Sequence, residues 1–233
     1  MQNRVAHSPI LVLGMHRSGT SCLAGSLQEA GLFLGDVNTQ ARFNARGNRE
    51  SRSIMDLHDQ ILADNGGSWD APPVSATWSD AHRARRDDLI DTFPEEVTWG
   101  FKDPRCLLAM DGWLEVLPDL RAIGTFRHPM AVAASLTSRN GFSTEKGLMI
   151  WLAYNRALLT VCEEREIGIV SFDWPPDRYL SRLEALAASV GLQPPAGGFQ
   201  FFTSALRKNA APPETELPAE VQTVYAQLKD RAG

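Results

Sequence analysis

The stretch that constrains the fold most lies near the start of the chain. Four consecutive apolar residues, Ile10 to Leu13, predict a short buried strand. A loop bracketed by Gly14 and Gly19 follows, and apolar residues then recur at helical spacing from Leu23 to Leu27. The first N–H groups of a helix have no partner within it and carry the positive end of its dipole. A strand, a glycine-bracketed loop and a helix in this order therefore predict a cradle for an anion.

The spacing of the two loop glycines matches the P-loop pattern G-x-x-x-x-G-K-[ST], with one departure. Thr20 occupies the position of the lysine that reaches the β- and γ-phosphates of a nucleoside triphosphate, and Arg17 is the only fixed cation of the loop. This combination favours an anionic ligand other than a nucleoside triphosphate. The alternative is a simple turn between a core strand and a core helix.

The form Gly-x-x-Arg-Ser-Gly-Thr-Ser is similar to the 5′-phosphosulfate loop of the sulfotransferases that use 3′-phosphoadenosine 5′-phosphosulfate (PAPS). The resemblance implies that PAPS is the co-substrate and adenosine 3′,5′-bisphosphate the product. It also implies that the phosphosulfate is held by Arg17 and by the loop around it, namely His16, Ser18, Gly19, Thr20 and Ser21.

Predicted strands and helices alternate along the chain, with three further strands at residues 97–102, 121–126 and 167–172. This order predicts an α/β fold of three layers, with a mainly parallel central sheet, helices on both faces and a P-loop NTPase-like start. A single domain over residues 1–233 accounts for the length. Ligands of such sheets bind beyond the carboxyl ends of the strands, where the glycine loop, Lys102 and Arg127 fall.

A second motif begins at Arg127, which ends a predicted strand. Ser135 and Arg139 follow on one face of the next helix, four residues apart, and can grip a phosphate together with it. The spacing of Arg127 and Ser135 resembles the 3′-phosphate site of PAPS sulfotransferases, and in the protein-tyrosine branch a second arginine stands where Arg139 does. Sulfotransferases also place a late basic segment near the 3′-phosphate and adenine, which makes Arg207 and Lys208 candidates. A solvent-exposed role is the alternative for each of these residues.

A third motif, Lys102-Asp103-Pro104, stands at a strand end and resembles the protein-tyrosine sulfotransferases, whose lysine contacts the transferring sulfuryl group. A fixed ammonium there stabilises the negative charge that develops on the bridging oxygen as the nucleotide leaves. For Asp103 and Arg105 we expect only a structural role in bracing the turn.

The acceptor hydroxyl needs a base, and Glu50 aligns with the glutamate that performs this step in carbohydrate and tyrosine sulfotransferases. A carboxylate suits the task when it is held close and partly desolvated. The alternative is that Glu50 lies in the first turn of a helix beginning at Asn48 and only complements the helix dipole. His16, within the loop itself, is the substitute base.

The amino-acid composition restricts the kinds of partner that we expect the protein to bind. The net charge of -5 argues against a general nucleic-acid binder and against a protein held to anionic membranes. The three cysteines lie in apolar stretches without metal-ligand spacing, so we expect reduced core thiols of a cytoplasmic protein. No apolar run approaches the length of a membrane span, so we expect no membrane insertion. We expect no metal site, because arginine and lysine supply the positive charge that the transfer implied by the resemblance requires. The expected partner is a hydroxyl-bearing acceptor, whose class the sequence does not reveal.

Two rival functions use the same anion cradle. A nucleotide or sugar kinase would bind ATP there and use Asp103 to hold Mg²⁺, although the missing lysine counts against this. A non-catalytic nucleotide-binding protein would keep the cradle without a base.

Overall fold

Four parallel strands form the centre of the molecule. A computed structural model of the chain describes residues 8–41, 44, 46–207 and 216–233. The strands lie in the order β2-β1-β3-β4, so that the glycine loop leaves an inner strand. Their bounds are β1 Ile10–Leu13, β2 Gly100–Lys102, β3 Arg121–Phe126 and β4 Gly168–Ser171.

The sheet is buried on both faces, which explains why its strands are continuously apolar rather than alternating. Along β1, Ile10 and Val12 pack into one core, whereas Leu11 and Leu13 pack into the other. Successive side chains of a strand point to opposite faces, so one short strand contributes to both cores. The predicted three-layer α/β fold is confirmed.

Helices cover both faces of this sheet. The first and seventh pack on the face of Ile10 and Val12, and the others pack on the opposite face. None of the described helices is both long and apolar enough to cross a bilayer. The helices are α1 Thr20–Glu29, α2 Arg52–Asp64, α3 Asp80–Asp91, α4 Met110–Leu114, α5 Pro129–Asn140, α6 Thr144–Arg165, α7 Pro176–Ser189 and α8 Ala219–Ala232.

Two local predictions were wrong. Helix α2 begins at Arg52 with Ser51 as its N-cap, so the expected start at Asn48 is four residues too early. Glu50 therefore precedes the helix and is not in its first turn. The sequence also predicts a helix from Cys106 to Leu117, ended by Pro118, but the structure has a 3-10 turn, Pro104–Leu108, followed by the short α4.

We expect Gly100→Ala in β2 to destabilise the fold by about 3 kcal/mol, the upper end for an overpacked core. An added Cβ would stand 1.9 Å from the carbonyl oxygen of Ile10, which is backbone paired with the same residue and cannot yield. Chemical denaturation followed by circular dichroism measures the loss. Gly197→Ala is the matched control, because no described atom beyond its chain neighbours lies within 4 Å of its added Cβ. Equal stability of the two variants would contradict the prediction.

Candidate active site

The loop after β1 requires glycine at both ends. Gly14 has a φ of 140°, and a Cβ on it would meet the carbonyl oxygen of Thr125 at 2.3 Å. Gly19 has a φ of 88°, and its Cβ would meet the ring of Phe172 at 2.4 Å. Side chains are strongly disfavoured at such positive φ values. These two glycines let the loop turn tightly in the narrow space between β3 and the ring of Phe172, the residue that follows β4.

The N-terminus of α1 is open to a ligand. Its N-cap, Gly19, offers no capping side chain, so the amides of the first turn lack the usual intramolecular acceptor. The Ser18 hydroxyl oxygen is buried and has no hydrogen-bond partner in the described part of the chain. Donors left open around one loop suit an anion with several oxygens.

Arg17 links this loop to α5. Its Nε donates to the Ser135 hydroxyl oxygen at 2.8 Å, and its Nη1 donates to Oδ1 of Asn44 at 2.9 Å. Burial, with the charges of Arg139 and Arg127, lowers the pKa of Arg17 to about 10, so the guanidinium stays charged at pH 7. The residues expected at opposite ends of the nucleotide, Arg17 and Ser135, are therefore in direct contact.

Arg127 is held at the end of β3 by a residue that the sequence reasoning missed. Its Nε donates to Oδ1 of Asp173 at 3.0 Å, and the backbone N–H of His128 donates to Oδ2 at 2.6 Å. The Arg127 guanidinium also lies 5.6 Å from the centre of the Phe172 ring. The signal was available, because residue 173 directly follows the predicted last strand, residues 167–172, and strand ends border the ligand site.

Arg139 lies one helical turn beyond Ser135. Its Nε donates to Oδ1 of Asn140 at 2.7 Å, and its guanidinium lies 5.2 Å from the centre of the Trp69 ring. The Tyr154 hydroxyl donates to the Trp69 carbonyl at 3.0 Å, which attaches the long loop to α6. These contacts pin the loop that carries Trp69 to the core.

Lys102 and Glu50 form a direct ion pair between the Lys102 ammonium and Oε1 of Glu50. Both are buried, with 2% and 6% of their surface exposed. Lys102 ends β2, and the Glu50 carbonyl accepts a hydrogen bond from the Asn38 N–H at 3.1 Å. The candidate base and the candidate leaving-group cation are therefore neighbours in the described structure.

Beneath this pair lies a buried network centred on Asp103. The Trp113 indole donates to Nε2 of His58 at 2.9 Å, so the other ring nitrogen, Nδ1, carries the proton and donates to Oδ2 of Asp103 at 3.1 Å. Oδ1 accepts from the N–H and from Nη1 of Arg105. Burial raises the pKa of Asp103, but the His58 hydrogen bond and the Arg105 charge outweigh it and hold the pKa well below its usual range. These contacts brace the turn after β2, as expected.

His16 lies in the loop with 9% of its surface exposed, its ring packed between those of Trp69 and Tyr154. Burial lowers its pKa well below the usual value, and the charge of Arg105 adds to this effect. The imidazole is therefore neutral at pH 7. Its Nε2 is buried and has no hydrogen-bond partner among the described residues.

The late segment also reaches the site. The Arg207 guanidinium lies 4.8 Å from the centre of the Phe202 ring and 5.5 Å from that of Phe172. Its Nε and Nη2 atoms have no hydrogen-bond partner among the described residues. Lys208 lies outside the described residues. Residues 199–202 form no strand and instead run across α1, where the Phe201 ring packs over Gly25.

Most of the predicted site residues line one cleft at the carboxyl ends of the strands, whereas Ser18, Ser135 and Arg207 lie outside its lining. Burial raises the pKa of the Cys22 thiol, which also borders the cleft, to about 12, so it is no nucleophile at pH 7. The site residues expected from the sequence that line this cleft are His16, Arg17, Gly19, Thr20, Ser21, Glu50, Lys102, Arg127 and Arg139.

Comparison with known proteins identifies a family model and solved structures that are similar to this chain. The model of the sulfotransferase family matches residues 9–166. The sulfotransferase domain of an olefin synthase from Synechococcus PCC 7002 has a similar fold, with a TM-score of 0.52, 18% identity and 98% of both chains covered. A sulfotransferase from Mycobacterium tuberculosis H37Rv matches with a TM-score of 0.47 and 16% identity, over 98% of this chain and 78% of that one. A search of curated proteins finds no match. Because the family model covers more than half of the 233 residues, the chain belongs to the sulfotransferase family.

Proposed function

We propose that the protein transfers the sulfuryl group of PAPS to an acceptor hydroxyl. The observation that carries the proposal is the convergence of Arg17, Lys102, Glu50 and Arg127 on one cleft. These residues come from four separate stretches of sequence. Arg17 lies in the loop after β1, Lys102 ends β2 and Arg127 follows β3, whereas Glu50 lies before α2. Three cations and one carboxylate match what the transfer needs, which is charge stabilisation for the donor and a base for the acceptor.

The residues present fit a doubly phosphorylated nucleotide. The open first turn of α1 and the partnerless Ser18 hydroxyl would hold the 5′-phosphosulfate together with Arg17. Arg127, with Ser135 and Arg139, would hold the 3′-phosphate, and Arg207 would lie nearby. The rings of Phe172 and Phe201 at the same cleft offer apolar surface for the adenine.

The chemistry assigned to the chain is proton removal and charge stabilisation. Glu50 takes the proton of the acceptor hydroxyl, whose oxygen then attacks sulfur. When bound, PAPS would supply the sulfuryl group. The bond between sulfur and the oxygen that bridges sulfur to phosphorus would break, and its electron pair would stay on that oxygen of the departing adenosine 3′,5′-bisphosphate. Lys102 stabilises the charge gathering on that oxygen, so positioning and electrostatics supply most of the catalysis, as in phosphoryl transfer.

The environment of Asp103 speaks against the kinase alternative. A kinase would use Asp103 to hold Mg²⁺ at the strand end. The side chain is 1% exposed, and both of its oxygens accept hydrogen bonds, from His58 and from Arg105. A carboxylate engaged in this way faces the interior of the chain.

Thermal shift distinguishes the proposal from its rivals, because a ligand that binds the folded state raises the melting temperature. We expect adenosine 3′,5′-bisphosphate at 100 times its Kd to stabilise the protein by about 2.7 kcal/mol, and ATP with Mg²⁺ to have a much smaller effect. The reverse order would favour a kinase. Nucleotide binding without sulfate transfer from PAPS to any hydroxyl compound in a screen would favour a non-catalytic protein.

We expect Arg127→Ala to weaken the binding of adenosine 3′,5′-bisphosphate by about 1.5–3 kcal/mol, the range for one charged hydrogen-bonding partner. Isothermal titration calorimetry measures the change. Arg52→Ala is the control, since that arginine lies on the exposed face of α2 and pairs only with Asp56 among the described residues. Affinity equal to that of the unmodified protein would remove Arg127 from the nucleotide site.

A further inference from the structure

The two residues given opposite tasks in the proposed transfer neutralise each other in the structure. Lys102 and Glu50 are in direct contact, and both belong to the lining of the cleft. An ammonium on Oε1 occupies a lone pair of the carboxylate that would receive the proton of the acceptor. The same contact directs an N–H donor of Lys102 to Glu50 and offsets its charge. While this contact lasts, each charge weakens the other in its proposed task.

Burial makes the contact strong. With 2% and 6% of their surfaces exposed, the two charges face little water. Separating a buried pair without replacing either partner leaves an uncompensated charge and is strongly unfavourable. Lys102 therefore leaves Glu50 only when another anion takes the place of the carboxylate, and a phosphosulfate in the adjacent loop is such an anion.

Glu50 has other positive charges in its surroundings besides Lys102. Two further cations lie near it: Arg105, anchored by Asp103 and Asp59, and Arg139 on α5. His16 adds no charge, because its imidazole is neutral. The Glu50 carboxylate therefore keeps opposite charges in its surroundings once the lysine has moved.

We propose that the Lys102–Glu50 ion pair is a gate operated by the sulfuryl donor: the donor draws Lys102 to its own negative charge and thereby releases Glu50 as the base. The inference rests on the proposed function. It implies an order of events in which the acceptor hydroxyl is activated only when a donor is already bound.

The gate has a consequence that needs no knowledge of the acceptor. If Glu50 and the nucleotide compete for Lys102, the carboxylate weakens nucleotide binding, because part of the binding free energy is spent on breaking the pair. Removing the charge of Glu50 then strengthens binding, although the same change removes the base. A carboxylate that served only as a structural support would not behave in this way.

Calorimetric titration with adenosine 3′,5′-bisphosphate tests the gate. We expect Glu50→Gln to bind about 10-fold more tightly than the unmodified protein, a usual size for coupling between sites. We expect Lys102→Met to bind more weakly, and the double variant to bind like Lys102→Met alone. The double variant matters because a general repulsion between Glu50 and the nucleotide would tighten binding in both backgrounds, whereas competition for Lys102 vanishes with the lysine.

Controls separate the possible outcomes. Glu163→Gln removes an exposed carboxylate of α6 and is expected to leave affinity unchanged. Thermal melts show that each variant is folded, and Glu50→Ala replaces Glu50→Gln if the latter is not. Unchanged or weaker binding in Glu50→Gln, or equal tightening without Lys102, would overturn the gate alone. Absence of nucleotide binding by the unmodified protein would overturn both the gate and the proposed function.

Discussion

Lys102→Met is expected to lower the turnover of sulfuryl transfer by about 100-fold or more, the scale for loss of one preorganised donor to a developing negative charge. Lys102 is fixed at the end of β2 and is nearly fully buried, so its charge acts in a site with little screening by water. Methionine keeps most of the side-chain volume and removes the ammonium group, with its charge and its N–H donors. Turnover is measured as release of adenosine 3′,5′-bisphosphate from PAPS, with an acceptor found by screening hydroxyl compounds against the unmodified protein.

Lys229→Met on the exposed surface of α8 is the control for general effects of losing a lysine, and its turnover should stay within about twofold of the unmodified value, as surface changes usually do. Turnover of Lys102→Met close to that of the control, in a folded protein, would remove Lys102 from the reaction. The transfer would then need a different cation at the leaving oxygen.

Arg17→Ala is the second change with a large expected effect, again a loss of about 100-fold or more in turnover. Arg17 is the cation of the glycine loop, and its guanidinium spans the distance from Asn44 to Ser135. We expect Arg17→Lys to restore little of the activity, since a single ammonium cannot reproduce the geometry of two separate guanidinium nitrogens. The same nucleotide-release measurement applies to both variants.

Arg156→Ala, on the exposed face of α6, is the matched control for these arginine variants. Near-normal turnover in Arg17→Ala would show that the backbone amides of the loop suffice to hold the phosphosulfate. Full activity in Arg17→Lys would show that the charge matters and the planar shape of arginine does not. Either result would revise the part assigned to Arg17.

The parts of the site that were predictable are those governed by neighbours in the chain. Gly14 and Gly19 indicate a tight turn because only glycine tolerates their positive φ without strain, and the structure has both in that region. Pro129 indicates a helix start, and α5 begins there with Arg127 just before it. The placement of Lys102 at a strand end was predicted from the proline two residues later, although the strand order puts β2 at the edge of the sheet and not at its centre.

Predictions based on chain neighbours were wrong where a distant contact outweighed the local preference. Asn48 is an acceptable N-cap, but the N-cap of α2 is Ser51, and residues 48–50 lie in an irregular segment that carries Glu50 to Lys102. Asp103 likewise starts a 3-10 turn because its side chain accepts the Arg105 N–H while the other oxygen faces His58.

The sequence by itself determined which residues end strands, where the glycine loop turns and which charges are available for an anion. Only the tertiary structure decided which of these residues meet: Lys102 with Glu50, Arg17 with Ser135, and Arg127 with Asp173. The physical reason is the separation along the chain over which each kind of interaction acts. Periodicity, caps and turn residues act over a few positions, whereas these partners are 52, 118 and 46 residues apart and are brought together by the order of parallel strands and the routing of the loops between them.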